Sequence, residues 1–218
     1  MLMDLDGPEE SPASGGKAKQ LVILVHGLGA DGSDLIALAP HLASVLPDAH
    51  FIAPDGPFPC DMAPYGRQWF SLQDRDPHVM LSGIRMAAPI LDGFIDQQMT
   101  RFGLDASSVA LVGFSQGTMM SLHVAPRRPD PLAAVVGFSG ALLAGEALLE
   151  EARSRPPILL VHGDADDVVP VQATPAAAGA LQDAGFAVET LICPGVPHSI
   201  DPAGLRRAMD FLARYLNG

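Results

Sequence analysis

Cysteine is scarce in this chain of 218 residues. Only Cys60 and Cys193 occur, far apart and in no metal-ligand spacing, which argues against a secreted disulfide framework. The default for such a chain is cytoplasmic, with two reduced thiols. Cations are also few: 13 Lys and Arg stand against 25 Asp and Glu, for a net charge of −12. That balance argues against nucleic acid as a partner and against electrostatic docking on an anionic membrane. No apolar run approaches the ~20 residues of a membrane span, so integral membrane association is not expected. The opening "MLMDLDGPEESPASGGKAK" lacks a basic start followed by an apolar core and does not read as a signal peptide. Residues 1–19 read instead as a mobile Pro/Gly/Ser tail.

What is abundant is apolar residues, 48% of the chain, with only 17% charged. A chain of this length and composition supports one globular domain, expected over 20–218. Short apolar runs, "LVILVHG", "AHFIAP", "SSVALVGFS", "LAAVVGFSG", "PPILLVHGD" and "AVETLICPG", alternate with amphipathic stretches such as "PAGLRRAMDFLARYL". Strands apolar on both faces, alternating with helices, predict an α/β fold: a mostly parallel central sheet with helices on both faces. The segment 53–78 is proline-rich, holds the single tryptophan, Trp69, and is too long for an ordinary connection. Leaving the carboxyl end of a strand, it is placed to wall a ligand crevice.

The most informative stretch is "VALVGFSQGTMM", residues 109–120. A strand that stops and reverses at once into a helix strains the backbone at the corner. Side chains two positions to either side would collide there, so both become glycine. Gly113 and Gly117 fit, and Ser115 is the corner residue of a nucleophile elbow. Ser139, in "VVGFSGALL", also follows a strand but lacks the second glycine and reads as a strand-end serine. A serine nucleophile needs a base, and the base needs a partner to orient it. In this architecture they follow in the order Ser, Asp or Glu, His, on loops after later strands. His198, in the loop "VPHSI", is the candidate base. The acid is one of Asp164, Asp166 and Asp167, which share a turn. His26 and His162 precede glycines at strand ends and read as turn-shaping; His123 reads as structural, and His41, His50 and His78 as surface residues. An anion hole would take the backbone N–H of Gln116 and a second from the glycine-rich loop "HGLGADG", for which Leu28 is the choice. Trp69, Leu142 and Val168 are expected, with Leu28, to line an apolar acyl pocket.

Together "LVHGLGADGSD", "GFSQG", "VHGDADDVVP" and "PHSI" resemble the phospholipase/carboxylesterase family of the α/β-hydrolase superfamily, to which the acyl-protein thioesterases belong. The resemblance runs from about residue 20 to the C-terminus. It implies Ser115 as nucleophile, His198 as base and Asp166 as acid, the second aspartate of H-G-D-x-D, with Leu28 and Gln116 as anion-hole donors. It implies a cytosolic enzyme without metal or cofactor, acting on short- or medium-chain acyl esters as small-molecule substrates, with acyl-thioesters or lysophospholipids as the alternative and a non-catalytic binding protein on the same fold as a further one; several members are dimers, so a homodimer is in view. Two positions depart from the pattern. Thr118 replaces a further glycine after the elbow, and Ala141 stands where eukaryotic thioesterases carry a tryptophan. "CDMAPYGRQWFSL" resembles the bacterial branch and favours a general carboxylesterase over a protein depalmitoylase.

Overall fold

The computed structural model describes residues 4–217. Among the described residues nine strands lie at β1 (Glu9–Glu10), β2 (Gln20–Val25), β3 (Ala49–Ile52), β4 (Phe58–Pro59), β5 (Arg67–Gln68), β6 (Val109–Phe114), β7 (Ala134–Phe138), β8 (Ile158–Gly163) and β9 (Val188–Cys193). The α-helices are α1 (Gly32–Leu35), α2 (Ala39–Ala43), α3 (Pro77–Phe102), α4 (Gln116–Val124), α5 (Leu148–Glu151), α6 (Ala173–Asp183) and α7 (Pro202–Leu216).

Seven strands form one sheet in the order β1-β3-β2-β6-β7-β8-β9. All neighbours are parallel except the edge pair β1–β3. The strands are apolar on both faces because each face is covered. Along β2, Leu21, Ile23 and Val25 join one core, which also holds Ile84 and Leu91 of α3, Met120 of α4 and Leu181 of α6. Val22 and Leu24 join the opposite core, with Leu42 of α2 and Phe211 and Leu212 of α7. The period-two geometry of a strand thus divides one hydrophobic run between two cores.

The order of the sheet also positions the site. From β2 the chain moves outward to β3, then returns to place β6 on the other side of β2. Such a reversal leaves a crevice beyond the carboxyl ends of the two strands. Ser115 follows β6 there, and the loop containing Leu28 follows β2.

The N-terminal segment differs from the expected mobile tail. Glu9 and Glu10 pair antiparallel with Ile52 and Phe51. Leu5 is buried in the core, and Arg101 of α3 donates to both carboxylate oxygens of Glu9 at 2.6 and 2.9 Å. Local composition hid this because the partners of Glu9 and Glu10, β3 and Arg101, lie forty or more positions away. Residues 1–3 of that expected tail lie outside the described residues. His50 is likewise corrected from surface to buried: its ring stacks 4.3 Å from that of Phe102 and bonds Glu9. Among the described residues no helix is long and apolar enough to cross a membrane.

Candidate active site

Ser115 has φ 53° and ψ −115°, a left-handed value rare for a residue with a side chain. Such a residue costs about 1–3 kcal/mol and persists only where its surroundings determine it. Here the Ser115 N–H donates to Phe138 O at 2.9 Å, while Thr118 and Met119 N–H donate to Ser115 O. The flanking glycines are steric requirements. A Cβ on Gly113 would lie 2.5 Å from the Gly117 backbone, and one on Gly117 would overlap the Val25 carbonyl. Thr118, the departure from the glycine pattern, is accommodated because its hydroxyl reaches Gly113 O at 2.9 Å and Phe138 O at 2.8 Å. Gly137 and Gly140 leave room for its side chain.

Of the three aspartates in the turn after β8, Asp166 is the one that meets His198. Its side chain is fully buried. Oδ1 accepts the N–H groups of Val168 and Val169 at 2.9 and 2.8 Å, and Oδ2 lies 2.7 Å from His198 Nδ1. Burial by itself would raise the Asp166 carboxyl; the hydrogen bonds from His198, Val169 and Val168 outweigh it and hold the carboxyl below its usual range. An ionised carboxylate only accepts, so His198 Nδ1 carries the hydrogen and Nε2 is the nitrogen free to take a proton. The His198 ring packs on Phe114, with centroids 4.8 Å apart. Asp164 instead accepts Gly195 N–H at 2.6 Å and caps the loop carrying His198, while Asp167 is exposed.

His162 was legible only as a turn residue, yet it touches Asp166. Its Nε2 lies 2.9 Å from Val169 O and 3.2 Å from Asp166 Oδ2, and Nδ1 lies 2.8 Å from Thr174 Oγ1. Val169 O can only accept, so Nε2 carries a hydrogen that also faces the carboxylate.

The backbone N–H groups of Leu28 and Gln116 have no partner among the loop and cap hydrogen bonds of the described residues. Gln116 N lies in the first turn of α4, where N–H groups lack intrahelical acceptors. The Gln116 side chain holds the segment 53–78: Oε1 accepts Trp69 N–H at 2.9 Å and Nε2 donates to Phe70 O at 2.8 Å. His26 Nε2 accepts Gly56 N–H at 2.8 Å, so Nδ1 donates to Gly27 O at 2.7 Å. Burial lowers the His26 pKa, which agrees with a neutral ring in that role.

Ser115, His198, Leu28 and Val168 open on one cavity of about 460 Å³. Leu72 and Arg75 of the 53–78 segment, Met80 of α3 and Met119 of α4 also line it. The proline-rich segment does wall this cavity, but not through the tryptophan. Trp69 is fully buried behind the wall, with Nε1 donating to His26 O at 3.1 Å. Leu142 lies outside this cavity too; Ala141 and Ala173 occupy that side, and Leu142 lines an adjacent one. The missed lining residues are ordinary apolar types without a motif, so only their position reveals them. Ser139, at φ 47°, is buried and outside the cavity lining. Among the described residues no group of three His, Cys, Asp or Glu side chains could hold a metal ion.

A parallel sheet between two helical layers, with a strained serine beyond a central strand and a histidine–aspartate pair on later loops, defines an α/β-hydrolase. The profile described as Phospholipase/Carboxylesterase matches residues 10–216, and the chain belongs to that family. Among its relatives is "Esterase YpfH" of Escherichia coli, 31% identical over 195 residues, spanning 89% of this chain and 82% of that protein. "Acyl-protein thioesterase 1" of Kluyveromyces lactis is 29% identical over 71% of this chain and 73% of its own length. The crystal structure of esterase PE8 superposes with a TM-score of 0.94 at 42% identity, covering 98% of this chain and 100% of that one. That of Arabidopsis thaliana SOBER1 gives 0.80 at 26% identity, covering 90% and 99%.

Proposed function

We propose that this chain is a serine carboxylesterase that hydrolyses short- to medium-chain carboxylic esters through an acyl-enzyme. The observation that carries the reading is the convergence of Ser115, at a strained corner, and His198, bonded through Nδ1 to the buried Asp166, on one largely apolar cavity. Ser115 Oγ attacks the acyl carbon while His198 Nε2 takes its proton. Asp166 fixes the ring's tautomer and stabilises its charge. The Leu28 and Gln116 N–H groups receive the oxyanion, and loss of one such donor typically costs about 10²–10³ in rate. His198 then protonates the departing alcohol and draws a proton from water for deacylation. Leu28 and Val168 contact the acyl group.

The same reading places the protein in the cytoplasm, where Cys60 and Cys193, both free and buried, remain thiols. Burial and the neighbouring Asp201 push the Cys193 thiol up to about 11, so it is an inert side chain at neutral pH. A homodimer is part of the proposal, to be checked by sedimentation.

Ser115→Ala is expected to reduce turnover of p-nitrophenyl butyrate by about 10³-fold or more and to abolish labelling by a fluorophosphonate. Wild-type turnover in that variant would refute the proposal. The relative named as a thioesterase makes matched ester and thioester substrates the second measurement, with the ester expected to be preferred.

A further inference from the structure

The loop after β2 is held peptide by peptide where it passes the nucleophile. Gly27 abuts Ser115: a Cβ on the glycine would come 3.2 Å from Ser115 Cβ and from the Phe114 ring. Gly27 O accepts His26 Nδ1–H at 2.7 Å and, across the turn, Ala30 N–H at 3.3 Å. Gly27 C=O and Leu28 N–H belong to one planar peptide and point in opposite directions, since no peptide bond among the described residues is cis. Holding the oxygen therefore aims the N–H. The preceding peptide is fixed as well, because Trp69 Nε1–H donates to His26 O at 3.1 Å. Leu28 itself lines the Ser115 cavity.

The His26 ring is anchored from its other side. It is fully buried, and a neutral imidazole presents a donor on one nitrogen and an acceptor on the other. With Nδ1 donating to Gly27 O, Nε2 accepts Gly56 N–H at 2.8 Å. Arg67 of β5 holds that same stretch, its guanidinium donating to Gly56 O at 2.8 Å and Pro57 O at 3.0 Å. A relay of hydrogen bonds thus runs from Arg67 through Gly56 and the His26 ring to the Gly27–Leu28 peptide.

We propose that His26 is a positioning residue for ester hydrolysis: its ring, set by Gly56 and Arg67, locks the Gly27–Leu28 peptide with Leu28 N–H turned toward the oxyanion. This rests on the serine esterase reading and explains why the tryptophan and the arginine of the 53–78 segment are tied to the loop after β2. A donor aligned in advance needs no reorganisation as charge develops, so its misalignment lowers kcat and leaves KM nearly unchanged.

The test uses the full chain and p-nitrophenyl butyrate, with kcat referred to the sites that a fluorophosphonate labels at completion. His26→Asn keeps an amide N–H near the place of Nδ1 and gives up the acceptor for Gly56. His26→Gln reaches the place of Nε2, keeps that acceptor and gives up the donor to Gly27 O. The glutamine variant is expected to lose about 30-fold in kcat, with KM changed by less than about threefold. A trifluoromethyl ketone, whose serine adduct carries the oxyanion, is expected to bind that variant more weakly by the same factor. The asparagine variant is expected to stay within about fivefold of wild type in kcat. Equal losses in the two variants, a fall carried by KM, or an unmoved kcat in the glutamine variant overturns the relay. If either variant does not fold, Arg67→Met is expected to lower kcat about fivefold with KM within about twofold, and any other result there overturns the relay. Absence of wild-type turnover on every ester, together with no fluorophosphonate labelling of Ser115, overturns the esterase reading itself.

Discussion

At the level of single residues, the site is a set of close approaches that only particular side chains permit. Gly117 packs against the Val25 carbonyl, and no rotamer relieves a clash between a Cβ and backbone. Gly117→Ala is therefore expected to destabilise the fold by on the order of 3 kcal/mol or more, measured by chemical denaturation. An unchanged midpoint would mean that the β2–α4 contact is looser than described. His162 poses a different case, because its Nε2–H faces Asp166 Oδ2, the oxygen that also holds His198. His162→Phe keeps the ring's bulk and removes that donor. The expected result is a roughly tenfold fall in kcat, with KM changed less than twofold, read from steady-state kinetics on p-nitrophenyl butyrate.

Among the elements, the segment 53–78 gives the cavity Leu72 and Arg75 and, ahead of the start of α3, has as regular structure only the two-residue strands β4 and β5. It is held by groups outside it. Gln116 bridges Trp69 and Phe70, and Gly29 N–H donates to Arg67 O at 2.9 Å. Gln116→Leu retains the backbone N–H at the start of α4 but leaves Trp69 N–H and Phe70 C=O buried without partners. Each orphaned group costs about 1–3 kcal/mol. Limited proteolysis is expected to cut faster within 53–78, and kcat/KM to drop about tenfold as the Leu72–Arg75 wall loosens. Unaltered proteolysis would show that the segment is held by other contacts.

For the molecule as a whole, pH tests the burial. Asp166, Glu151, Glu9 and Asp201 all have carboxyls held below their usual values. Their contribution to stability is full above the unfolded carboxylate range and is lost as pH falls through the lower folded values. His123 adds to this loss in an earlier window. Burial, with Arg127 adding to it, lowers its pKa to about 4 from 6.5, so the unfolded chain binds the proton first. Stability accordingly falls between pH 6.5 and about 4, by roughly 3 kcal/mol from this group. His123→Leu is expected to lose that much less stability than the wild type over the same interval, measured by urea denaturation at each pH; parallel losses would contradict the assignment.

How much could be read in advance follows from the range of each interaction. The alternation of apolar runs and helices, the glycine-flanked Ser115 and the chain order Ser, Asp, His are local or ordinal properties, and these were legible in the residues alone. The choice among Asp164, Asp166 and Asp167 was not reachable from spacing, because which carboxylate meets His198 depends on backbone N–H groups that the turn presents only once folded. Trp69 was misplaced for the same reason: an apolar side chain near a crevice packs behind its wall as readily as on its surface, whereas Leu142 lines the adjacent cavity. The N-terminal segment, low in local propensity, gains its strand from β3 and Arg101. Residue pattern thus set the strands, the helices and the strained corner at Ser115, whose constraints act within a few positions. Which loops meet and which carboxylate is buried were settled only by tertiary packing, because those energies arise between groups distant along the chain.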